Sequence, residues 1–242
     1  MKKNYYLLLI CFCAVFNAIA AQNTTTELTS LKEKVNRAII KFENTNKELW
    51  AYKISRYEDE EGDISSSIEQ HYPQTRERWI LRKMNGQLPT KKQIKKFAKE
   101  KHEQNKTHKQ AQKMQLSLRK LINQDSLSLV STDEKHMVMA FNVYIKKLGK
   151  DSMGKLQGQL IYQKEQQFIE KISIWNNAEF SPMLTAKISD LAITFTFLDI
   201  NGAILAKQNE MKMKGSFAYF TDINETSIDN FSEYLYQGKQ LQ

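Results

Sequence analysis

Leu191-Ala192-Ile193-Thr194-Phe195-Thr196-Phe197 alternates large apolar side chains with small or polar ones, and the stretch around it, 154–236, does the same. Leu156, Leu160 and Tyr162 form one such row; Phe168, Ile172 and Ile174 form the next; Met211, Met213, Phe217 and Tyr219 form another. A period of two puts one row on one face of a sheet and the polar row on the other. Strands arriving every 10 to 20 residues, with no helical spacing between them, predict an antiparallel meander. Asn201-Gly202 is a tight hairpin turn within it, and 176–182 is expected to be a wider loop. The last strand is expected over 226–236.

Working outward, 127–130 and 137–145 read as strands, with a polar connection over 146–152. Three further strands are expected near the start, over 48–57, 64–72 and 78–83, with Trp50, Tyr52 and Ile54 on one face of the first and Trp79 with Leu81 on one face of the third. The acidic run Glu58-Asp59-Glu60-Glu61-Gly62-Asp63 has no spacing of oxygen ligands that suits calcium. It reads as a solvated hairpin tip closed by Gly62. Before these strands, Leu28, Leu31, Val35, Ile39 and Phe42 have the spacing of an amphipathic helix over 27–42.

The chain begins with Lys2-Lys3, an apolar run over 5–16 and Ala18-Ile19-Ala20, which are the parts of a cleaved secretory signal. Both cysteines, Cys11 and Cys13, fall inside it, so the mature chain has neither a disulfide framework nor a thiolate metal site. Ile10 and Phe12 stand where a lipid-modification site needs a small residue. Without Lys2 and Lys3 the formal charge of +9 becomes +7. Some 220 mature residues suffice for one large domain with its own core.

The charge is not evenly spread. Residues 91–120 hold eleven Lys or Arg against Glu100 and Glu103, a local +9. Pro89-Thr90 opens a helix there, with Thr90 and Gln93 placed as a capping box. Over 101–110 there is no apolar face, so the helix is expected to break or project into solvent. The lysine face, Lys91, Lys92, Lys95, Lys96 and Lys99, is either a solvated surface or a contact for an anionic membrane or an acidic partner. Nucleic acid is disfavoured, because no stacking aromatics are interleaved with the lysines.

No catalytic motif is present. The four histidines lack metal-site spacing, and there is no nucleophile elbow, phosphate-cradling loop or dinucleotide fingerprint. The expectation is a non-enzymatic protein with no cofactor and no metal. The apolar rows Trp50, Tyr52, Ile54, Trp79, Leu81, Leu191, Ile193, Phe195, Phe197, Met211, Met213 and Phe217 are core candidates first. They are also candidates to line an apolar hollow between a curved sheet and its helices, where methionine adapts to chains of varied shape.

Arg78-Trp79, Asn85-Gly86 and Pro89-Thr90, joined by Phe180-Ser181-Pro182 and Ala186-Lys187, carry a resemblance. With the order of elements, they make the chain similar to the LolA/LolB-like superfamily of outer-membrane lipoprotein carriers and receptors. The resemblance implies an α+β fold, an antiparallel sheet curved into an incomplete half-barrel and covered by helices. It also implies a cavity for lipid or acyl chains. On it, residues 1–20 are a signal peptide and 21–242 one half-barrel domain with a basic helical insertion at about 90–122. The function expected is binding of a lipid, acyl chain or lipoprotein by a monomer in the periplasm of a Gram-negative bacterium. The basic insertion departs from the carriers' pattern. The alternative is an envelope protein-interaction module that docks through that basic helix and has no ligand cavity.

Overall fold

The computed structural model describes residues 26–111, 117–218 and 221–238. The signal-peptide reading and both cysteines lie outside them.

Eleven strands join one antiparallel sheet: β1 (Trp50–Glu60), β2 (Asp63–His71), β3 (Trp79–Met84), β4 (Ser128–Thr132), β5 (His136–Asn142), β6 (Leu156–Gln163), β7 (Phe168–Asn176), β8 (Phe180–Met183), β9 (Ala186–Ile200), β10 (Ala203–Phe217) and β11 (Thr221–Tyr236). The order is β3-β2-β1-β11-β10-β9-β7-β6-β5-β4, with β8 paired to β9 on the side. β3 and β4 are free edges, so the curved sheet is an incomplete barrel and not a closed one. The first and last strands of the chain, β1 and β11, pair in the middle. Three helices cover the sheet: α1 over 26–44, α2 (Lys91–Ala111) and the single turn α3 (Leu118–Leu121).

One face of the sheet carries the core. Met139, Leu160, Ile172, Ile174, Leu191 and Ile204 are buried there against Leu31, Val35, Ala38 and Ile39 of α1 and Leu118, Leu121 and Ile122 around α3. Cross-strand pairs keep the row in step, with Leu160 opposite Ile172, Ile172 opposite Phe195 and Ile174 opposite Ile193. Gly158 sits opposite Phe141 in the same row, and a Cβ there would lie 2.4 Å from the Phe141 ring. The core cluster draws nothing from β1, β2 or β3. α2 packs on β3 instead, and its Lys101 reaches Glu69 of β2.

α1 ends where its side chains grip the β9–β10 hairpin. Lys41 Nζ lies 2.6 Å from Asp199 Oδ2 and donates to the Gln166 carbonyl at 2.8 Å. Thr45 Oγ1 accepts from Ile204 N at 2.9 Å. The turn of that hairpin, Asn201-Gly202, has φ of 52° and 87°, the left-handed pair that matches strand twist. α3 is tied to α1 by Arg119, which donates to Asn36 Oδ1 at 2.7 Å and to Glu43 Oε2 at 3.0 Å.

Several boundaries differ from the sequence reading. β1 runs on to Glu60, so the hairpin tip is only Glu61-Gly62, with Glu58 still in the strand. The wider loop expected over 176–182 contains β8, because Phe180 is buried and pairs with Ile188. β11 starts at Thr221, five residues early, pairing its polar first turn with β10. α2 runs unbroken through Lys101, whose largely covered ammonium faces Glu69; the other expectation, projection into solvent over 101–110, falls mostly outside the described side chains. The capping box forms as read, with Thr90 N donating to Gln93 Oε1 at 2.8 Å and Gln93 N to Thr90 Oγ1 at 3.3 Å.

Candidate functional site

A β-bulge builds the aromatic wall of the site. Pairing of β1 with β11 slips between Ala51 and Lys53, leaving Glu233 (φ 55°) and Tyr234 opposite Tyr52 alone. Strict alternation would send Phe231 and Tyr234, three apart, to opposite faces. The extra residue brings both to the inner face beside Tyr52, with ring centroids 5.9 and 5.5 Å from it. The Tyr234 hydroxyl donates to the Ala206 carbonyl at 2.6 Å, so its polar end is satisfied within the sheet. Burial raises the phenol pKa of both Tyr52 and Tyr234, so both stay neutral hydrogen-bond donors.

Between this wall and the end of α1 lies a cleft of about 820 Å³. Phe42, Leu118, Phe195, Phe197, Leu205 and Phe231 line it with Tyr52 and Tyr234. Phe42 meets Phe197 edge-on at 5.2 Å. Its polar lining is the segment 43–48 after α1, Ser117 before α3, and Asn209 on β10 opposite Phe195. Its two acids are already paired, Glu43 with Arg119 at 3.0 Å and Glu48 with Arg78 at 3.3 Å. Lys47 Nζ sits 3.4 Å from the Phe42 ring centroid, and burial lowers its ammonium pKa to about 8.

Of the twelve apolar candidates, Tyr52, Phe195 and Phe197 come together on this cleft. Trp50 lies on a second cleft of about 760 Å³ on the other side of α1, among Ile40, Lys41, Leu49 and Ala203. Leu191 is in the core, and Ile193 and Met213 pack against it. Ile54 and Leu81 are buried on either side of Glu69. Met211 is half-buried beside Ile193, and Trp79 lies tilted against His71, ring centroids 4.6 Å apart. Phe217 does not join a cavity: it ends β10 and is 46% exposed. The alternation placed these side chains on one face, but a face some 15 residues long passes from core to cleft to solvent.

The inner face under α2 is charged. Glu69 of β2 is buried, flanked by Arg56 Nη1 at 3.9 Å and Lys101 Nζ of α2 at 2.6 Å. Lys101 approaches Oε2 outside hydrogen-bonding angles, so that contact is charge against charge; Ser67 Oγ donates to Oε1 at 3.0 Å. Arg56 is held in turn by both oxygens of Asp229, at 2.7 and 3.0 Å. The Lys101 ammonium also lies 4.3 Å from the Trp79 ring centroid and 5.1 Å from that of Phe97. Phe97 and Lys101 are one turn apart and face the sheet, whereas Lys91, Lys92, Lys95, Lys96 and Lys99 are all exposed. Among the described residues no group of three or more His, Cys, Asp or Glu is placed to hold a metal ion.

His71 closes this region between Tyr52 (4.8 Å) and Trp79, its Nδ1 buried without a partner. Burial pulls its pKa below the usual imidazole value, partly opposed by a hydrogen bond to the Trp50 backbone. The folded protein therefore holds His71 neutral where the unfolded chain begins to protonate it, at about pH 6.5. Stability contributed by this site is complete above that pH and falls as acid approaches the lower folded value. Urea midpoints measured between pH 7.5 and 5 should drop, and His71→Gln should flatten the drop. An unchanged slope in the variant would show that other groups carry it.

Lys47, Phe231, Tyr234, Lys101 and Glu69 were not singled out from sequence. Phe231 and Tyr234 gave a signal, since two rings three apart in a strand require a bulge if both are to be buried. Lys101 gave none, being one lysine in a run.

No family model matches the chain, and no curated protein matches it. Among solved structures it is similar to a DUF1329 family protein from Desulfovibrio piger, at 7% identity over 87% of this chain and 94% of that one, with a TM-score of 0.33. That similarity is too low to assign a family or an activity.

Proposed function

We propose that this protein binds an amphiphile, seating a lipid or acyl chain in the cleft between the end of α1 and the inner face of β1, β9, β10 and β11. The observation that carries the reading is the cleft itself: about 820 Å³ walled by six aromatic rings and two leucines, with the polar segment 43–48 along it. Binding clefts for small molecules run to about 300–1,000 Å³ and share that division. The signal-like N-terminus and the LolA/LolB resemblance support a periplasmic carrier or envelope-biogenesis factor that performs no chemistry.

The driving force is burial of apolar area, roughly 25 cal/mol per Å² before ordering costs. Recruitment is a separate function of α2. Its outward lysines surround Ile94, and Leu88 precedes them, both exposed apolar side chains. Lysines around exposed aliphatic groups suit an anionic membrane surface. At about 1 M salt, where the Debye length is about 3 Å, the protein should leave anionic vesicles and still retain a bound chain.

Fluorescence of N-phenyl-1-naphthylamine, an uncharged apolar probe, tests the cleft. The probe should brighten with the wild-type protein, and Asn209→Trp, which fills the cleft from β10 beside Phe195, should abolish that signal without lowering the melting temperature. Equal brightening in both proteins would place the probe elsewhere and remove the reading.

A further inference from the structure

The cleft has one charge without a counter-charge. Three ionised side chains line it, and Glu43 and Glu48 are each held by an arginine. Lys47 has no ion-pair partner among the described residues. A lysine at a rim ordinarily extends its ammonium into water. Here the ammonium lies over the Phe42 ring and is partly desolvated; the ring face offsets part of that cost, and an anion would offset the rest.

We infer that the ligand of this cleft is a single-chain amphiphile with a monoanionic carboxylate head, and that Lys47 is its counter-ion. The inference rests on the amphiphile reading above and adds the head group. The apolar part of the chain would lie against Phe195, Phe197 and Phe231, with the carboxylate at the rim beside Lys47. A neutral head would leave the ammonium uncompensated, and a cationic head would add like charge. A dianionic head would meet one cation and two nearby carboxylates, Glu43 and Glu48. With its ammonium pKa at about 8, Lys47 is largely charged at pH 7 and largely neutral at pH 9.5.

The test is displacement of N-phenyl-1-naphthylamine by dodecanoate, dodecanol and dodecyltrimethylammonium, on the wild type and on Lys47→Met and Lys47→Arg. Charge-assisted hydrogen bonds support an expectation of about ten-fold tighter binding of dodecanoate than of dodecanol at pH 7. Lys47→Met should bring dodecanoate to the level of dodecanol while leaving dodecanol unchanged, and Lys47→Arg should keep the preference. Raising the pH to 9.5 should erase the preference in the wild type. Equal displacement by the acid and the alcohol would overturn the inference and leave the amphiphile reading standing. So would a Lys47→Met variant that loses both alike, because Lys47 would then be structural. If the probe does not bind the wild type at all, the amphiphile reading falls and the head-group inference falls with it.

Discussion

Lys101→Met should lower the unfolding free energy by about 3–5 kcal/mol, the usual cost of removing one partner from a buried ion pair. Lys101 and Glu69 have side chains 12% and 4% exposed, so Glu69 would remain buried with only Arg56, 3.9 Å away, to face its charge. Arg56 is already committed to Asp229 through two hydrogen bonds and has little freedom to close that gap. The double variant Lys101→Met with Glu69→Leu should recover most of the loss, since an apolar pair of similar volume needs no desolvation of charge. Urea titration of the two single variants and the double measures the coupling. If the single variant costs under about 1 kcal/mol, as exposed pairs do, Lys101 is an ordinary surface lysine and α2 has no anchor. Among the described residues Phe97 and Lys101 are the side chains of α2 that face β2 and β3, so its loosening should also appear as faster trypsin cleavage within 91–111.

Ile39→Ala should cost about 2–5 kcal/mol, from lost transfer free energy and the cavity left behind. Ile39 is fully buried on α1 and lies in the cluster with Ile172, Ile174, Phe197 and Ile204. The effect should reach the site. α1 supplies Phe42 and the rim segment that follows it, so a loosened helix weakens one wall of the cleft while the aromatic wall on β1 and β11 persists. Probe affinity measured well below the melting temperature should therefore fall in Ile39→Ala, and Ile40→Ala, on the exposed side of α1, should change neither stability nor affinity. Full stability in Ile39→Ala would mean that the sheet collapses onto the gap.

Alternation made the sheet legible in the sequence because one face of each strand is buried and the other solvated. Leu160, Ile172, Ile193 and Phe195 are where their period placed them. The helix carrying Leu31, Val35 and Ile39 was legible for the same reason, as was the cap at Thr90. What alternation does not encode is which strand lies beside which. The closing of β1 onto β11 is a pairing across the whole chain, and it creates the site. The bulge at Tyr234 is a local departure from the period, so a periodic reading divides Phe231 from Tyr234. Charge runs were the least informative: Lys91 and Lys101 look alike in sequence, yet one is solvated and the other faces Glu69. Phe217 illustrates the opposite failure, a side chain in the right row on a strand that outruns the core.

Native mass spectrometry of the protein purified from its native host, with organic extraction of what it holds, tests the amphiphile reading most directly. One acyl-bearing molecule per chain, lost in Asn209→Trp, is the result predicted. A wild-type protein that is empty and also leaves N-phenyl-1-naphthylamine dark would contradict it, and the cleft would then be no more than a fold between α1 and the sheet.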